Sequence, residues 1–153
     1  MNATCQALTA LFGRILLSAI FLSSAFGKVM DWSGTAHHME QEGMVMVPMF
    51  LAAAIAFEVL GGLSVLLGLF ARYGVWLLIA FMVPTTLIFH DFWVKEGMER
   101  MNQMSHFMKN VALTGGLLMV AAFGAGRYSL DNWRAVAADR SVWERRGQSV
   151  PVG

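Results

Sequence analysis

Four runs of roughly twenty mostly apolar residues, each long enough to cross the ~30 Å hydrocarbon core of a bilayer as a helix, constrain this chain more than any other feature. The first extends from about Leu8 to Met30, with Arg14 and Lys28 inside its two ends. The second, from about Val45 to Phe70, holds one charge, Glu58. The third starts after Arg72 and reaches about Trp93, with Pro84 in its middle, and the fourth covers about Ser105 to Gly126. Open strands would leave edge N–H and C=O groups unsatisfied in hydrocarbon, so all four are expected to be helices. The predicted fold class is an all-α membrane protein, a four-transmembrane-helix bundle. Composition agrees: 14% of the 153 residues are charged, against roughly 25% in soluble domains.

The same numbers exclude some functions. A net charge of +1 offers no dense basic face for phosphates, so nucleic acid is not an expected partner. The single cysteine, Cys5, permits neither an internal disulfide nor a Cys-x-x-Cys redox couple. No cation precedes Arg14, and Lys28 stands where cleavage would need a small residue, so the first run is expected to stay as a span rather than leave as a signal peptide. Arg14, Arg72, Arg127 and the tail arginines fall on one side of the bilayer, and Lys28, Lys95, Arg100 and Lys109 on the other. The larger group predicts both termini in the cytoplasm of a bacterial inner-membrane protein. The connections Asp31–Met44 and Val94–Met104 are then periplasmic. Residues 1–127 form the expected transmembrane domain, and 128–153 a charged cytoplasmic tail on or near the bilayer surface.

Between helices in lipid, close packing of small residues and interhelical hydrogen bonds supply the association. Three small-residue stripes are candidates: Ala19, Ser23 and Gly27; Ala54 with Gly62, flanking Glu58; and Ala112 with Gly116. A charge at mid-bilayer depth costs about 2.5–3.5 kcal/mol even on the lenient insertion scale. Glu58 is therefore expected to face the interior, either in a structural ion pair with Arg14 or as part of a site.

The richest chemistry lies between Leu87 and Asn110. His90 and Trp93 end the third span, while His106, Lys109 and Asn110 open the fourth at spacings that stack them on one helical face. Lys28 ends the first span at the same level. These groups are expected to converge at one mouth of the bundle, where Pro84 removes a backbone hydrogen bond from the third span. Methionines flank the same region, Met98, Met101 and Met104 between the two histidines with Met108 just after them, and Met39, Met44, Met46 and Met49 beside His37 and His38. Thioethers with imidazoles suit Cu(I), but without a tight ligand motif the methionines read better as gap filler, and no metal is assigned.

The segments "GRILLSAIFLSSAFGKVMDW", "FEVLGGLSVLLGLFARYG", "IFHDFW" and "HFMKNVALTGGLL", in this order, resemble the DoxX family of small bacterial membrane proteins, from about Gly13 to Arg127. The resemblance implies a four-helix membrane protein whose recurrent polar residues are Lys28, Glu58, His90, Trp93, His106, Lys109 and Asn110. The family name derives from a subunit of a thiosulfate:quinone oxidoreductase, and relatives are linked to resistance against quinones, catechols and oxidants.

Two functions from different classes follow. In the first, the pocket binds a quinone or phenolic ring: Lys28, His90, His106 and Lys109 donate hydrogen bonds, and Phe89, Trp93 or Phe107 stacks on it. Asn110 lines it, and the histidines, Lys109 and Glu58 handle protons and developing charge. Electrons then come from a redox partner or a soluble donor, making the chain a quinone-linked oxidoreductase or a subunit of one. In the second, the protein is a non-catalytic anchor or assembly subunit for a redox partner. The bilayer is the certain contact. A partner subunit or a second copy of the chain, as a homo-oligomer, is the further expectation.

Overall fold

The computed structural model describes residues 2–145, which fold into six α-helices. They are α1 (Ala3–Met30), α2 (Trp32–Gln41), α3 (Val47–Leu67), α4 (Ala71–Phe89), α5 (Gly97–Phe123) and α6 (Leu130–Arg145), with a 3₁₀ turn at Phe92–Val94. Four of them, α1, α3, α4 and α5, are long and apolar enough to cross a membrane. α1 packs on α3, α3 on α4 and α4 on α5. Large apolar side chains such as Leu16, Phe26, Leu60, Trp76 and Met119 are exposed on the outside, the surface that lipid would cover.

Both connections at the histidine end are more helical than expected. Asp31 closes α1 through its N–H to Gly27 and opens α2 by accepting from the Gly34 N–H at 3.0 Å, an N-cap that turns the first connection into a helix. α5 begins at Gly97, two turns before the apolar run, because Glu99 and the residues after it are good helix formers facing away from hydrocarbon. This extension carries Gln103 up beside the end of α4.

At the opposite, tail end, α3 stops at Gly68, whose φ of +63° favours glycine. α4 starts from Phe70 without a cap of its own. Its first free amides are satisfied from far along the chain: Asp131 accepts from the Phe70 N–H at 2.8 Å and the Ala71 N–H at 3.0 Å. The Asp131 N–H in turn donates to the Gly68 carbonyl at 2.8 Å. The segment following Arg127 is thereby tied to the α3–α4 turn through its first helical turn.

The predicted stripe on α1 is a correction. Ala19, Ser23 and Gly27 are exposed, while Arg14, Ser18, Phe21 and Ala25 are buried and Lys28 is half-buried. The two cations choose the inward face, because a charge turned to lipid costs more than a lost small-residue contact. On α5, Ala112 is exposed, whereas a Cβ at Gly116 would lie 3.1 Å from Leu17. On α3 the critical glycines are Gly61 and Gly62, adjacent to Val65 in the buried face. A Cβ at Gly61 would sit 2.6 Å from Leu78 Cγ and 3.1 Å from the Gly74 carbonyl oxygen, so α3 and α4 cross nearly backbone to backbone there. Gly61→Val is expected to lower stability by about 1–3 kcal/mol through overpacking. Gly27→Val, with open space around it, is expected to stay within about 0.5 kcal/mol of the parent. Denaturant unfolding in a fixed detergent or lipid environment compares the two.

Candidate functional site

A charged contact inside the bundle joins α1 to α3. Lys28 Nζ donates to both Glu58 oxygens at 2.9 Å and to Ser24 Oγ at 2.6 Å. All three ammonium hydrogens are therefore committed. The Glu58 side chain is only 3% exposed, so the pair replaces hydration that lipid cannot supply. Lys28 Nζ also lies 5.9 Å from the centre of the Phe81 ring.

The expected Arg14–Glu58 pair does not form. Arg14 donates to the Tyr128 carbonyl and lies under the α3–α4 turn, against Gly68. That level is about 15 Å along the helix axis from Glu58, at about 1.5 Å per residue, beyond the reach of a guanidinium. Lys28, whose stem runs inward from the last turn of α1, is the partner instead.

Around this pair a cavity of about 620 Å³ opens between the helices at the histidine end. Lys28, Glu58, Phe89, His90, Lys109 and Asn110 all line it. Three other predicted residues do not. His106 lies behind His90, their rings stacked with centroids 5.2 Å apart and planes 18° from parallel, and it accepts from Lys109 Nζ at 3.1 Å. Trp93 and Phe107 pack edge-to-face with Phe92, at centroid distances of 5.3 to 6.1 Å, in a separate cluster beside the 3₁₀ turn. Their rings are spent on each other rather than on a ligand.

The wall is held in place by hydrogen bonds that sequence reasoning missed. His90 Nδ1 pairs with Gln103 Oε1 at 2.9 Å. With that oxygen accepting, Nδ1 carries the hydrogen and Nε2 is left as the acceptor. Thr86 Oγ1 donates to the Met82 carbonyl at 2.7 Å and accepts from Asn110 Nδ2 at 2.9 Å, tying α4 to α5. Pro84, which lines the cavity with Ala80, has no N–H to give the Ala80 carbonyl. α2 forms a roof. Met39 packs on Val47 and Leu51, and the His38 ring lies 5.5 Å from that of Phe89. The Asp31-x-x-Gly34 cap was the available signal for this helix, and hence for His38 as a cavity residue.

Among the described residues, no group of three or more His, Cys, Asp or Glu side chains is placed to hold a metal ion. Met39 and Met44 line the cavity, whereas Met98, Met101, Met104 and Met108 are exposed along α5.

Four spans around a polar-ended, mainly apolar cavity define an integral membrane protein built to keep a few charged groups inside a helical bundle. The chain belongs to the DoxX family, whose family model matches residues 9–91. It is 35% identical over 122 residues to "Inner membrane protein YqjF" of Escherichia coli K12, covering 79% of this chain and 88% of that one. It is 33% identical over 121 residues to "Inner membrane protein YphA" of the same organism, covering 79% and 86%. No solved structure matches it. With these relatives and its four spans, it is an integral inner-membrane protein.

Removing one member of the buried pair exposes its cost. Lys28→Met is expected to lower stability by about 3–5 kcal/mol, since it strands a carboxylate, while Lys28→Met with Glu58→Leu recovers most of the loss. Unfolding of the two variants beside the parent measures the difference.

Proposed function

We propose that the cavity binds a quinone or related phenolic ring and that the protein serves a quinone-linked membrane redox system, as an oxidoreductase or a subunit of one. The observation that carries this reading is the cavity itself. Its volume falls in the roughly 300–1,000 Å³ range of sites for small organic ligands, with apolar walls and a few converging polar groups. Phe89 offers a ring face. Lys109 retains ammonium hydrogens beyond the one given to His106, and the Asn110 carbonyl and His90 Nε2 complete a polar rim. Lys28 and Glu58, saturated by one another, set the electrostatics of the floor rather than grip the ligand directly.

Reduction of a quinone to a hydroquinone takes two electrons and two protons. The electrons come from a redox partner or soluble donor, and His90, cycling between neutral and charged imidazole, passes protons to the ring oxygens. Lys109 stabilises negative charge on the oxygens before they are protonated, with His106 fixing its position. In this reading the histidine end faces the periplasm and both termini lie in the cytoplasm, following the arginine distribution.

The competing reading, a non-catalytic anchor for a redox partner, is favoured by α6, where Trp133 and Val136 are exposed. Site variants separate the two. Lys109→Ala is expected to insert and assemble like the parent but bind a benzoquinone about ten- to a hundredfold more weakly, the loss of one hydrogen bond from a charged donor, and His90→Ala to bind the corresponding hydroquinone, whose O–H donates to Nε2, about two- to tenfold more weakly. Equilibrium binding in nanodiscs tests this. Parent-like affinity in both variants removes the ligand reading and leaves the anchor.

A further inference from the structure

The cavity has an opening that the ring-binding proposal does not use. α3 and α4 meet at Gly61 and Gly74, and toward the histidine end both line the cavity. On that side the lining residues are exposed: Phe50 and Ile88 are 44% and 40% exposed, and Ala80 and Pro84 are exposed as well. Ala80, Pro84 and Ile88 recur every fourth residue on α4, forming a rim about 12 Å long at about 1.5 Å per residue. The side chains of this rim are all apolar, and it starts well inside the span.

The other routes are less suited to an apolar entrant. Above, α2 covers the cavity with His38 and Met39, and the connection after it adds Met44. Between α1 and α5, Leu17 against Gly116 closes the lower part, and the upper part carries the charged groups Lys28 and Lys109.

We infer that the α3–α4 gap is a lateral window through which the ligand enters from the bilayer, and that the ligand is an amphiphile with a hydrocarbon tail. This rests on the ring-binding proposal and adds the class of ring compound: lipid-soluble and tailed, rather than a small water-borne phenol. The polar head sits beside His90, Lys109 and Asn110, and the tail leaves past Ala80 and Pro84 into lipid. Head and tail are then matched by the two halves of the cavity. Ala80, the smallest side chain on the rim, sets the width of the passage.

The test uses the full chain in nanodiscs, with a dimethoxymethylbenzoquinone bearing a decyl chain and the same ring without it as probes. Bound fractions are referred to each probe's free concentration in the aqueous phase, with protein-free nanodiscs subtracted. The parent is expected to bind the decyl compound about tenfold more tightly than the bare ring, the discrimination a few apolar contacts provide. Ala80→Phe is expected to bring the ratio of decyl-probe to bare-ring affinity down to about one. Val83→Phe, on the same helix but outside the cavity lining, controls for bulk added to the lipid face and is expected to behave like the parent. Equal binding of the two probes by the parent, or loss of both probes in Ala80→Phe, overturns the window while the ring site stands. A parent that binds neither probe removes the ring site and the window together.

Discussion

An ammonium and a carboxylate facing each other inside a bundle of membrane-spanning helices fix most of what this bundle can be. Neither Lys28 nor Glu58 can be abandoned to lipid, where water is absent and each ion alone would be expensive. Their bidentate contact therefore sets the rotation of α1 relative to α3 and the depth at which the two meet. Ser24, one turn below Lys28, completes the ammonium's coordination. A pair of this kind is a weak source of net stability against a well-packed apolar substitute. Its effect is specificity: other rotations of α1 would leave at least one charge without a partner.

The molecule divides its remaining polar chemistry by end. At the tail end Arg14 reaches the Tyr128 carbonyl, while Asp131 is consumed in satisfying backbone amides of α4. Those contacts hold a tight turn between helices. At the histidine end, space is left instead. His90, Lys109 and Asn110 each donate a hydrogen bond to a neighbour that fixes their position, yet retain atoms with hydrogen-bonding capacity. Polar groups that are positioned but not exhausted characterise a binding surface, whereas the opposite end has the character of a joint.

How much of this the sequence disclosed depends on the range of the interaction. The spans were legible because hydrocarbon thickness imposes a length that can be counted. The meeting of His90 with His106 was legible because both flank one short connection. The partner of Glu58 was misread, since depth was judged from run lengths alone, and small shifts in where each helix begins accumulate to several ångströms. The inward face of α1 was misread by giving small residues precedence over charges. α2 escaped because a polar, short helix has no apolar run to announce it, only a capping aspartate. The withdrawal of Trp93 and Phe107 into their own cluster depends on the geometry of the 3₁₀ turn, which no local pattern encodes.

The carboxylate that caps α4 has a consequence for biogenesis. Asp131 follows Phe70 and Ala71 by some sixty residues, so the two central spans enter the bilayer while their joining turn still has bare amides at the interface. Until the ribosome has delivered the last span and the start of α6, water must occupy those positions. Completion of that joint is thus deferred until the start of α6 is made, and a segment delivered after all four spans acts as a latch on a hairpin made much earlier.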